Sequence, residues 1–154
     1  MDIPRFGPHL AVQTRSRSSE FRKVLRRMDA KILLVDDSKT TLLMEEMLIK
    51  HHTSYEVVLA RDGAEGLAKA VAEKPDLILM DVVMPKMDGF QACRMMRKQK
   101  ALQGVPIILV TSRGEPCNVE AGFESGCNDY LTKPIDSVEL LEIVNGYLAG
   151  PRSN

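Results

Sequence analysis

Tryptophan is absent from this chain, aromatic residues make up 5% of it, and there are 3 cysteines in 154 residues. Those cysteines, Cys93, Cys117 and Cys127, are odd in number and form neither a CxxC pair nor a Cys/His ligand spacing. A disulfide-framed secreted scaffold and a finger-type zinc site are therefore excluded, and buried free thiols in a reducing compartment are expected. No apolar run approaches the ~18–20 residues of a membrane-spanning helix. The opening "MDIPRFGPHLAVQ" lacks the charged start and long apolar centre of a secretion signal, so a cytoplasmic location is expected. Net charge is missing as well: 21 Lys and Arg balance 21 Asp and Glu. With no DNA-binding segment after Leu148, direct nucleic-acid binding is not expected.

What is present divides into unequal parts. Residues 1–29 hold seven basic side chains (Arg5, Arg15, Arg17, Arg22, Lys23, Arg26, Arg27) against Asp2, Glu20 and Asp29, a local excess of +4 that residues 30–154 cancel. Within this extension Phe21, Val24, Leu25 and Met28 fall at i, i+3, i+4 and i+7. That spacing predicts a short basic amphipathic helix, or else a loose tail. The remainder, 44% hydrophobic and 27% charged over the whole chain, has enough apolar material for one globular unit, expected at 30–150 with a short tail at 151–154.

From residue 31 a pattern recurs. Apolar runs at 32–35, 55–59, 77–80, 107–110 and 129–131 are each followed by a helix-length segment. Leu42, Leu43 and Met47 fit one face of the first helix, and Ala64, Leu67, Ala68 and Val71 one face of the second. Val138, Leu141, Val144 and Leu148 do so in the last, with Asp136 as its cap. Five strands alternating with five helices predict an α/β fold, a doubly wound five-stranded parallel sheet covered on both faces. The continuous runs "ILLV", "LILM" and "IILV" suit strands buried on both sides. Ligands of such sheets bind beyond the carboxyl ends of the strands.

Those ends are where the chemistry-bearing residues fall. The first strand runs into Asp36-Asp37, the third into Asp81, the fourth into Thr111-Ser112 and the fifth into Thr132-Lys133-Pro134. Each has an ordinary structural reading: Asp37 or Ser38 as a helix cap, Asp81 as a turn residue, Thr111 as a strand end. Together they predict three carboxylates, a hydroxyl and an ammonium on one edge of the sheet. Crowded carboxylates repel unless a cation joins them. A set of oxygens without His or Cys suits a hard divalent ion such as Mg²⁺.

The ordered set "LLVDDS", "DLILMDVVMPKMDGF", "PIILVTS" and "YLTKPI" resembles the receiver domain of bacterial two-component response regulators, of the single-domain, chemotaxis-regulator-like type. The resemblance implies the flavodoxin-like fold. By the same likeness Asp81 is the phosphoacceptor, and Asp36, Asp37, Asp81 and the backbone carbonyl of Val83 hold Mg²⁺. Thr111 and Lys133 are then the remaining site residues, Thr111 and Tyr130 the switch pair, and Pro134 follows a cis peptide. The implied partners are a histidine kinase and a downstream protein at the face formed by 115–124, 128–131 and 136–148.

The implied protein catalyses only its own phosphorylation and slow dephosphorylation. The polar residues that help place attacking water in the family are absent at Val83, with Arg113 the second flanking position. Other readings are a phosphorelay intermediate, a receiver-like adaptor independent of phosphorylation, and a Mg²⁺-dependent phosphohydrolase. The last needs a second acid/base carboxylate and a substrate pocket that no inserted segment offers. With no output segment after Leu148, the signal is expected to leave through another protein.

Overall fold

The computed structural model describes residues 29–112 and 116–149, the side chains of 116–118 excepted. The extension with Phe21, Val24, Leu25 and Met28, the residue Arg113, the Cys117 side chain and the 151–154 tail lie outside the described residues.

Elements alternate as β1 (Lys31–Val35), α1 (Lys39–His52), β2 (Glu56–Ala60), α2 (Gly63–Glu73), β3 (Leu77–Asp81), α3 (Gly89–Arg97), β4 (Ile107–Ser112), α4 (Pro116–Ser125), β5 (Asp129–Lys133) and α5 (Ser137–Leu148). All strand pairs are parallel, in the order β2-β1-β3-β4-β5. This is the expected flavodoxin-like order, with its reversal between β1 and β3. β3 and β5 run to Asp81 and Lys133, further than the apolar runs alone indicate, because ladder pairing continues into the polar strand ends.

Alternation along the strands divides the core in two. Leu33, Val35, Ile78, Met80, Ile107 and Leu109 point to one face, where Ala70, Ala92, Cys93, Met96 and Cys127 complete the packing. Ile32, Leu34, Leu77, Leu79, Ile108 and Val110 point to the other, under Leu42 and Ile49 of α1 and Leu140 and Val144 of α5. Cys93 and Cys127 are buried free thiols.

Helix starts follow their caps. Ser38, rather than Asp37, accepts from Thr41 N–H at 3.2 Å. Asp62, Asp88 and, as expected, Asp136 cap α2, α3 and α5.

The expected helix faces need correction. In α1 the buried column is Leu42, Glu45 and Ile49, while Leu43 and Met47 are 54% and 62% exposed. In α2, Gly63, Gly66 and Ala70 face the sheet, whereas Ala64, Ala68 and Val71 are exposed and Leu67 is half-buried. Small residues are required there: a Cβ on Gly66 would stand 3.0 Å from the Val35 methyl groups. In α5, Leu140 replaces the exposed Val138 at the sheet, while Leu141 and Leu148 are half-buried. Apolar spacing fixes the period of a stripe, but its phase is decided by how closely the helix approaches the sheet.

Candidate functional site

The reversal of strand order leaves a crevice beyond the ends of β1 and β3. Val35 pairs with Met80, so Asp36 and Asp81, one residue further along each strand, arrive side by side. Asp81 pairs with Val110, which sets Thr111 next along β4, and Ser112 pairs with Lys133 at the end of β5. Four strand ends thus deliver the five residues singled out in the sequence.

Lys133 Nζ lies 3.0 Å from Asp81 Oδ1 and 3.4 Å from Asp36 Oδ2. Asp36 and Asp81 are 1% and 5% exposed, whereas Asp37 faces solvent. Burial pushes the Asp81 carboxyl up to about 6, against the opposing pull of the Lys133 hydrogen bond. For Lys133 burial acts downward, but its bonds and charge pairing with Asp81 and Asp36 outweigh it, so the ammonium is held above its ordinary range. The second oxygen of Asp36 accepts from Ser38 N–H at 2.8 Å, so the residue that caps α1 also orients the acidic pair.

One ammonium does not balance three carboxylates. Oxygens of Asp36, Asp37 and Asp81 lie within 4.8 Å of one another, with Asp37 open to solvent. An all-oxygen donor set with one wet side fits a hard divalent ion that keeps several waters. The β3–α3 loop that carries Val83, which is 62% exposed, is pinned by Val82 N–H on Val110 O at 3.0 Å and Gly89 N–H on Val82 O at 2.8 Å. Gly89 has no room for a side chain: a Cβ would meet the Asp81 carbonyl oxygen and stand 2.8 Å from Val82 Cα.

Thr111 is buried beside the cluster, at 5% exposure. Tyr130 lies further along the sheet edge, half-buried, with its ring edge-on to Phe123 of α4 at 6.1 Å. The Lys133–Pro134 peptide is cis.

Glu45 is the residue the sequence reading missed. It is 5% exposed on the buried column of α1, and burial, reinforced by the charge of Asp36, raises its carboxyl to about 8. The signal was its position: three residues after Leu42 and four before Ile49, a carboxylate inside an apolar stripe.

A family model described as the response regulator receiver domain matches residues 32–145. The chain is 41% identical over 121 residues to Protein PilH of Pseudomonas aeruginosa, covering 79% of this chain and 99% of PilH. It is 40% identical over 113 residues to the longer transcriptional regulatory protein PhoP of Bacillus subtilis, 73% of this chain but 46% of that one. Among solved structures, the receiver domain of a Pseudomonas aeruginosa sensor histidine kinase, with a magnesium ion coordinated in its active site cleft, superposes with a TM-score of 0.73 at 33% identity. That superposition covers 79% of this chain and 99% of the other.

Proposed function

The chain belongs to the response regulator receiver domain family, and from that premise we propose that it accepts a phosphoryl group on Asp81 from a histidine kinase and then switches its binding to a partner protein. The receiver unit is taken as 30–150, with 1–29 a basic extension, working in the cytoplasm. Among the described residues no helix is long and apolar enough to cross a membrane. Receivers are signalling proteins rather than enzymes with turnover, and this one is modified once per donor encounter.

The observation that carries the reading is the Lys133 ammonium bridging Asp81 and Asp36 at the reversal of the sheet. In the reaction an Asp81 carboxylate oxygen attacks phosphorus, and the bond from phosphorus to the kinase imidazole nitrogen breaks with its electron pair going to that nitrogen. The imidazole, protonated beforehand on its other nitrogen, leaves as a neutral ring. Lys133 meets the charge that gathers on the phosphoryl oxygens, as a compact ammonium on a flexible stem. Asp36, Asp37, Asp81 and the Val83 carbonyl are the groups proposed to hold Mg²⁺, which when bound supplies positive charge that offsets the repulsion between carboxylate and phosphoryl oxygens.

Thr111, one residue beyond the Asp81 pairing partner on β4, is the proposed donor of a hydroxyl to an oxygen of the acyl phosphate, which its position next along that strand supports. Movement of Thr111 is transmitted to Tyr130, and the face of α4, β5 and α5 is the proposed partner surface. To carry the domain from mostly inactive to mostly active, modification has to favour the active form by ~5 kcal/mol.

Intact-mass measurement after acetyl phosphate and Mg²⁺ tests the assignment. One phosphoryl group is expected on the wild type and none on Asp81→Asn. Label that persists in Asp81→Asn, or steady turnover of a generic phosphoester, overturns it.

A further inference from the structure

Lys133 also lines a second feature, a cavity of about 470 Å³ between α1 and α5. Its walls are mostly apolar, from Met44 and Leu48 on one side and Ile135 and Leu140 on the other. At the end nearest the acidic cluster stand Thr41, Ser112, Lys133 and Glu45. The volume falls in the ~300–1,000 Å³ range of small-molecule sites, and an apolar chamber with a few convergent polar groups is their usual construction.

Glu45 gives this chamber its chemistry. Its residue is 95% buried by exposure of 5%, and among the described residues its carboxylate accepts no hydrogen bond and forms no ion pair. The cation that acts on it, Lys133, is bonded to Asp81 and Asp36. That ammonium is engaged by two aspartates, so the ionised form of Glu45, which prevails above about pH 8, has no bonded counter-charge among the described residues. A desolvated carboxylate without a donor is unfavourable, and a partner that brings one is favoured in proportion. Where Glu45 is ionised an anion would meet uncompensated negative charge, and at any pH a purely apolar guest would leave the buried carboxyl unmet.

We propose that the cavity is a binding site for an amphiphilic organic cation: an amidinium, guanidinium or primary ammonium head on Glu45, with a short apolar body along Met44, Leu48, Ile135 and Leu140. A planar forked head matches a carboxylate through two parallel hydrogen bonds. The site shares Lys133 with the cluster proposed for phosphoryl acceptance, but the head group's partner is Glu45, so the proposal stands whether or not that reading does.

The test uses the full chain, ¹⁵N-labelled, with benzamidinium as the probe and benzamide as its neutral counterpart, at pH 8. Saturable amide shifts are expected for benzamidinium at Thr41, Glu45, Leu48, Ile135 and Leu140. Benzamide, and benzamidinium with Glu45→Gln, are expected to bind about tenfold more weakly, as loss of one charge-assisted pair dictates. Met44→Lys, at an exposed position by the cavity, is expected to weaken benzamidinium without disturbing the fold. Absence of saturable shifts, equal binding of benzamide, or an unchanged Glu45→Gln variant overturns the proposal. So do shifts confined to the surroundings of Asp36, Asp37 and Asp81. Acetyl phosphate labelling of the same samples reports separately on Asp81.

Discussion

Removing Lys133 leaves Asp36 and Asp81 buried together with no counter-charge, because the ammonium is the one cation bonded to either of them among the described residues. Lys133→Met is therefore expected to slow acetyl phosphate labelling of Asp81 by about a hundredfold, the scale of losing one preorganised electrostatic contact, as read from an intact-mass time course. Glu45 makes a separate pH-dependent contribution. Its carboxyl titrates near 4.5 in the unfolded chain and near 8 in the folded one. Between those values the native state holds a proton that the unfolded state has released, so this group's contribution to stability is full below 4.5, falls as pH rises and levels off above 8. Urea unfolding without metal is expected to show that decline in the wild type. In Glu45→Gln this part of the slope should be absent and the protein more stable at pH 8 than the wild type, by a difference on the order of a few kcal/mol.

At the scale of elements, the strand that ends in Asp81 depends on how its neighbours are fastened. Gly89 begins α3 against the backbone of Asp81 and Val82, where no flexible side chain is available to yield. Gly89→Ala is expected to cost about 3 kcal/mol through forced backbone movement, measured by denaturant midpoint, and to weaken labelling at Asp81 as well. Arg97 ties the end of α3 to two connections, the one that leads into β4 and the one that leads into β5. Its guanidinium donates to the carbonyls of Leu102, Val105 and Gly126 and to Asn128 Oδ1, all between 2.7 and 2.8 Å. Arg97→Lys keeps the charge but loses the fork, so it is expected to destabilise by about 2 kcal/mol. A midpoint equal to the wild type would show that these bonds are replaced by water.

For the whole molecule, a divalent ion that binds the folded cluster and not the unfolded chain must raise the melting temperature with concentration. Mg²⁺ is expected to do so in the wild type and not in Asp36→Asn, as checked by thermal scans in chelator and in rising Mg²⁺. A Mg²⁺-independent wild type would remove the proposed metal role. The lifetime of the proposed phosphorylated state is likewise a property of the whole domain. With an apolar, 62% exposed Val83 two residues after Asp81, no polar side chain at that position would direct water to a phosphoryl group on the proposed acceptor. The phosphoryl group is expected to persist well beyond seconds in Mg²⁺ buffer, as followed by loss of mass over time.

The alternation of apolar runs with helix-length segments determined the parallel sheet, and the residues at the run ends determined which side chains would meet. Both follow from local rules, since strand direction and crossover handedness leave few ways to arrange five such units. Asp36, Asp81, Thr111 and Lys133 were legible because strand ends of a parallel sheet share one edge. Helix phase was not legible. Glycines at positions 63 and 66 carry no hydrophobic signal, yet they face the sheet because only a small residue lets the helix come that close. Nor did spacing say that Glu45 would be enclosed: whether a carboxylate on a helix is wet or dry depends on what packs over it, here α5 and the segment after Lys133. Period is written in the chain, but phase and enclosure arise only when separate elements compete for the same space.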